Sequence, residues 1–267
     1  MKLLSGSRFN LGAISITMAS SIMLAACGGG GGTDTSASTT PKPTPAPTPA
    51  ISDNVFFSIS PSAGVIATIN KAGYLRSSDS STTGQPLNLA LGNTPMTGTG
   101  ASSTGNGWLS ASGTFVQSTV SLTLNSDSTT YTLKAQSSNG QVTNSKLQLS
   151  TYVVTPTLAA LAGNFGVNPQ YLVTVNGNTF TGLYGYECSW SGTLTPNGKT
   201  IDVTHVTFEN TQNPTELACA HTGKEFTGTA FLEGPSAANP RGALVINIDD
   251  GGSGMPIMSK LYYFIRP

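Results

Sequence analysis

From residue 54 to the end, the chain alternates apolar and polar side chains with a period of two, and short Gly-, Asn- or Ser/Thr-rich breaks interrupt it. That period belongs to strands with one buried face; a helix face would recur every three or four residues. Val120, Leu122 and Leu124 alternate before a polar break at 125–129, and Tyr131, Leu133 and Ala135 resume after it, so the two runs read as a hairpin. Tyr171, Val173 and Val175 lead into Asn176-Gly177, and Phe180, Gly182 and Tyr184 return. Both turn residues tolerate positive φ, the requirement of the tightest hairpin turns. Cys188, Trp190, Gly192 and Leu194 precede a further turn, Pro196-Asn197-Gly198. Ile201 and Val203 then give way to Val206 and Phe208, and this change of phase predicts a bulge at Thr204-His205. Phe226, Gly228 and Ala230, then Leu244, Ile246 and Ile248, then residues 261–265 supply more strands.

The expected fold is therefore all-β, with two small antiparallel β modules over 54–154 and 155–267. The second should hold about eight strands, as an up-and-down barrel or a sandwich. Closure would remove the edges that so few charges leave unprotected. In the first module Val55 to Phe57, Val65–Ile69 and 108–116 read as strands, 77–84 as a polar loop, and 98–107 as turn-forming, with Leu147, Leu149 and Val153 closing it. One helical stretch is expected at 155–163, with Thr155 as cap, Pro156 in the first turn and Gly163 at the end, and it marks the module boundary.

Composition narrows the function classes. Twelve basic and twelve acidic residues cancel, and charged residues reach only 9%. A nucleic-acid partner is excluded, since phosphates need a basic surplus. Ser and Thr, 69 together, exceed a quarter of the chain, which excludes coiled coils and long charged helices.

The N-terminus carries a different pattern. Lys2 and Arg8 precede a mostly apolar, uncharged stretch at 9–24, too short and interrupted for a good membrane span, and then Leu24-Ala25-Ala26-Cys27. This tetrapeptide resembles the lipobox of bacterial lipoproteins; the alternative is an ordinary secretory signal with an incidental Cys27. The resemblance implies a signal peptide over 1–26 and a Cys27 that is diacylated, then freed by removal of that peptide and acylated on its new N-terminus. Three acyl chains would hold durably where one binds reversibly. Gly28 in place of Asp implies, by the same resemblance to Gram-negative lipoproteins, an outer-membrane lipid anchor, with the leaflet open. Residues 28–32 are all Gly, 33–40 are Ser/Thr-rich and 41–50 read PKPTPAPTPA. Such a segment cannot bury enough apolar surface to fold. With Cys27 it forms an expected tether over 27–53, able to hold the body up to ~70 Å from the membrane.

Further motifs point the same way. LAGNF, VNGNTFTGLYG, CSWSGTLTPNGKTIDVTHVTFEN and CAHTGKEFTGTA, within 159–229, resemble the C-terminal module of uncharacterised two-module β lipoproteins of Gram-negative bacteria, and 96–115 resembles their N-terminal module faintly. The resemblance covers about a third of the chain and implies a fold but no activity.

With Cys27 lipidated, an exported chain has Cys188 and Cys219 left to pair as a disulfide. Two buried free thiols are the alternative, while a zinc site lacks ligands, with only His205 and His221 available. No G-x-S-x-G elbow exists. His205 reads as a packed or barrel-lining residue, His221 as solvent-facing, and Asp249-Asp250 as a solvated hairpin tip rather than a weak calcium site. No cofactor is expected. Tyr184 and Tyr186, set between glycines near a strand end, are candidate binding residues. The chain thus reads as a non-enzymatic envelope lipoprotein, held to the membrane by its lipid anchor, that binds a protein or glycan partner or scaffolds. A lipocalin-like carrier of a small hydrophobic ligand, with Gly182, Gly192 and Gly228 facing inward, is the alternative, and a hydrolase a more distant one.

Overall fold

The computed structural model describes residues 51–59, 64–79, 87–92, 95–111, 114–168, 170–184, 188–211, 219, 222–235, 240–250 and 259–265. All belong to one compact unit, Ala46–Pro267. The expected signal peptide and Cys27 lie outside the described residues, as does the tether up to residue 50.

The chain is all-β, with one short helix among the described residues, and it forms two antiparallel sheets. The first is built from β1 (Asn54–Ser58), β2 (Val65–Ile69), β3 (Leu75–Asp79), β4 (Leu87–Gly92), β5 (Thr97–Thr99), β6 (Ser102–Ala111), β7 (Thr114–Leu124), β8 (Thr130–Ser137) and β9 (Val142–Leu149). Its pairings run β4-β3-β2-β1-β9-β8-β7-β6, and β6 pairs back onto β4 from Leu89↔Ser110 to Gly92↔Gly107, so the ladder closes on itself. Period-two alternation sends Phe56, Ala67, Ile69, Leu75, Val120, Leu122, Tyr131, Leu133 and Leu147 into one core. Phe56 meets Tyr131 edge-on at 5.1 Å, and burial pushes the Tyr131 hydroxyl pKa up.

Three expectations for this module change. Residues 77–79 complete β3 instead of opening a loop. Residues 98–107, expected to turn, do so only at 100–101 and otherwise form β5 and much of β6. Ser103, Gly105 and Gly107 stand on the inward side opposite Leu122, Val120 and Ser118, so small residues here are a packing choice inside a narrow barrel rather than a turn signal. The described residues within 108–116 belong to two strands, β6 and β7, with Ala111 paired to Thr114.

Between the sheets lie β10 (Val153–Val154) and α1 (Leu158–Leu161). β10 pairs with the second sheet, Val153↔Glu233. The cap of α1 is Thr157, not Thr155: its hydroxyl accepts from Ala160 N at 3.1 Å. Gly163 opens a strand at φ +113° instead of ending the helix.

The second sheet runs in chain order through β11 (Gly163–Asn168), β12 (Tyr171–Asn176), β13 (Thr179–Tyr184), β14 (Cys188–Asn197), β15 (Thr200–Asn210), β16 (Glu225–Glu233), β17 (Ala243–Asp249) and β18 (Ser259–Ile265). This up-and-down order is the expected one. β11 and β18 approach to Cα separations under 8 Å, which makes a nearly closed barrel. Both predicted turns form, with Gly177 at φ +61° and Gly198 at φ +81°. The predicted bulge lies between Val203 and Val206, with His205 at φ +53°.

The two barrels share a wall. Val55 and Ile66, on the outward faces of β1 and β2, pack with Phe231 and Val245 from the outward faces of β16 and β17. Phe57 meets Phe231 edge-on at 5.9 Å. β17 is consequently buried at every position: Leu244, Ile246 and Ile248 enter its own barrel, while Ala243, Val245, Asn247 and Asp249 face the other way and are buried too. A polar rim surrounds the apolar contact. Arg76 Nε meets Asp249 Oδ2 at 2.8 Å, and Arg76 Nη1 donates to Thr229 Oγ1 at 3.0 Å. Asn247 Nδ2 donates to Ser78 Oγ at 3.0 Å. Asp53 Oδ1 accepts from the Lys199 and Thr200 amides at 2.7 and 3.1 Å, and Lys199 Nζ donates to Asn54 Oδ1 at 3.0 Å.

Candidate functional site

The expected disulfide is present: Cys188 and Cys219 are bonded, their Cα atoms 5.1 Å apart and 31 residues separate in sequence. Cys188 begins β14 opposite Asn210, the last residue of β15, so the bond holds the chain beyond β15 against the start of β14. Tyr184 lies beside it in the ladder, paired with Cys188 on one side and Tyr171 on the other. Alternation therefore missed Tyr171, which is exposed and directly across the hairpin from Tyr184. Leu183 and Tyr171 are exposed together at this end of the β12–β13 hairpin. The Tyr184 side chain and all of Tyr186 lie outside the described residues, as does His221.

Inside the second barrel the space is filled by its own aromatics. Trp190 stacks on Phe208 at 5.7 Å and meets Phe180 edge-on at 4.9 Å; Phe208 meets Phe226 at 5.3 Å, and Phe264 lies 5.7 Å from Trp190. Of the inward glycines, Gly192 makes room for a ring: a Cβ there would fall 2.7 Å from Phe180 Cε1. A Cβ at Gly182 would first meet Leu172 O and then Trp190 Nε1 at 2.6 Å, and one at Gly228 would first meet Asn247 O, so the neighbouring backbone also requires glycine at these two positions.

Two expectations about ionisable residues are corrected. His205 does not line the barrel: the bulge turns it outward, its side chain is 77% exposed, and Nδ1 lies 2.8 Å from Glu225 Oε1. Asp249-Asp250 is not a solvated tip. Asp249 ends β17 against Arg76, and Asp250, 6% exposed, lies 3.5 Å from Lys224 Nζ. Both carboxylates thus face cations. Among the described residues, no group of three or more His, Cys, Asp or Glu could hold a metal ion. Asp127, at the tip of the β7–β8 hairpin, accepts from Thr130 Oγ1 at 2.6 Å and from the Thr130 and Thr129 amides at 2.8 and 3.0 Å. These bonds, the hydroxyl first, hold its pKa well below the usual carboxylate range, with Lys146 adding a small effect.

A cavity of about 170 Å³ opens at the end of the first barrel where the described chain begins. Buried Ile51 and Ile69 and half-buried Met96 give it an apolar side. Ser52, Thr99 and Ser103 supply hydroxyls, and Gly73, Gly98 and Gly100 expose backbone. Met96 N donates to Gly73 O at 2.8 Å and fixes this segment over the turn that follows β2. Thr99 Oγ1 accepts from the Ala101 and Ser102 amides, both at 3.3 Å, and Ser103 Oγ donates to Thr99 O at 3.1 Å. Sequence reading had no signal for this site, because its Gly and Ser/Thr residues looked like an ordinary turn.

No family model, curated protein or solved structure matches the chain.

Proposed function

We propose that the chain is a lipid-anchored protein of the Gram-negative outer membrane that binds or scaffolds a protein or glycan partner and performs no catalysis. The aromatic filling of the second barrel is the observation that carries the reading. Rings from Phe180, Trp190, Phe208, Phe226 and Phe264 occupy the space that the inward glycines would have offered a carried ligand. Recognition then falls outside that filled interior. The lipobox-like sequence ending at Cys27 supports the anchor, and the Gly- and Pro-rich stretch after it supports reach.

Cross-linking in intact cells, followed by capture of the chain, should yield a discrete partner, and protease shaving should assign the leaflet. A hydrophobic small molecule that co-purifies in stoichiometric amount would favour the carrier reading instead. Palmitate labelling of the Cys27→Ala variant tests the anchor: labelling should vanish, and normal incorporation would end the lipoprotein reading.

A further inference from the structure

We propose that the cavity at the end of the first barrel binds one uncharged sugar ring, the terminal residue of a glycan. This deepens the binding reading above, on which it rests, by naming a site and a ligand class. At about 170 Å³ the space holds several waters, yet it falls below the roughly 300–1,000 Å³ of pockets that enclose a whole drug-sized molecule. One ring fits, with the rest of a longer chain in solvent.

The lining selects among such rings. Among the described residues that line it there is no ionisable side chain, so a charged group entering it would lose hydration and gain no counter-charge from them. A purely hydrocarbon ligand would displace water from the Ser52 hydroxyl and from the unused capacity of Thr99 Oγ1 and Ser103 Oγ, and would offer no hydrogen bond in return. A neutral pyranose meets both demands, because one ring face is apolar CH and its edge is hydroxyl. The CH face lies against the polarizable Met96 and the exposed edge of Ile51. The edge meets hydroxyls whose present bonds leave capacity: Thr99 Oγ1 accepts twice and keeps its proton to donate, while Ser103 Oγ donates once and keeps its lone pairs. These bonds hold both groups in place before any ligand arrives, which lowers the ordering cost of binding.

The test uses the full-length protein in detergent with methyl-labelled methionine, the Met96 signal being assigned from Met96→Leu. The probes are the methyl glycosides of glucose, galactose and N-acetylglucosamine, with glucosamine, glucuronate and hexanol as charged and apolar counterparts. A saturable Met96 shift at millimolar concentration is expected for at least one neutral glycoside, with affinity at least tenfold weaker for all three counterparts. Ser52 is exposed, so Ser52→Trp should plug the entrance, abolish the shift and leave the melting temperature in place. Thr99→Val, a second variant that keeps the Met96 reporter, should weaken binding severalfold.

No saturable shift with any neutral probe overturns the proposal. So does equal binding of a counterpart, or binding that survives Ser52→Trp unchanged. A partner captured from cells equally well by Ser52→Trp would sink this site while sparing the broader binding reading.

Discussion

Arg76 is a residue whose part only the folded chain shows. In sequence it is a lone cation at a strand end; in the structure its guanidinium lies between barrels, with 13% of its side chain exposed and 7% of its partner Asp249. Removing one member of so enclosed a pair strands the other. Arg76→Met should cost about 3 kcal/mol, read as a lowered urea midpoint. Adding Asp249→Leu should restore most of the loss, since a buried pair and an apolar replacement are often nearly equivalent. Asp127 makes the complementary case at a surface tip. Its folded pKa is depressed, so its stabilisation is complete above the unfolded value near 4 and fades as pH falls below it. Asp127→Asn should therefore destabilise the protein at pH 7, and the difference from wild type should shrink towards pH 2. Melting temperatures across that range check it; a constant difference would point to shape rather than charge.

At the scale of strands and turns, the inward glycines are the sharpest test of how the second barrel is filled. Gly192→Ala would set a Cβ 2.7 Å from the Phe180 ring and 3.0 Å from Val206 Cγ2. It should destabilise by about 1–3 kcal/mol through overpacking, seen by thermal unfolding; a neutral result would reveal spare room and revive the carrier reading. The hairpin turns, the phase change at Thr204-His205 and seven of the eight strands were legible, because each is written locally as positive-φ residues or alternation; β11, where Gly163 reads as a helix end, was not. The β5–β6 region was misread for a related reason. Inside a narrow barrel Ser103, Gly105 and Gly107 are small because Leu122 and Val120 face them, and pairing across the sheet leaves no local mark. His205 was placed inward because alternation fixes a side chain's face only up to a bulge. Asp249 reads as a turn residue in sequence because its partner lies 173 positions away.

The whole molecule is more tightly joined than two modules on a string. Residues 54–154 contain no Cys, and as an independent unit they would be indifferent to reductant. The shared wall of Val55, Ile66, Phe231 and Val245, ringed by Arg76–Asp249 and the Asp53 bonds to Lys199 and Thr200, predicts otherwise. Reducing Cys188–Cys219 should remove about 3–4 kcal/mol by the loop-entropy argument, and fluorescence of Trp108 in the first barrel and Trp190 in the second should report one shared, lowered transition. Single-Trp variants distinguish the two reporters, and separate midpoints would show that the wall does not couple the barrels. β17 gives that wall a measurable clock. With both faces enclosed and neighbours paired along both edges, its amides should reach solvent only when the entire body opens. In deuterium exchange Leu244, Ile246 and Ile248 should be among the last protons to leave, and their rates would count how often the two barrels come apart together.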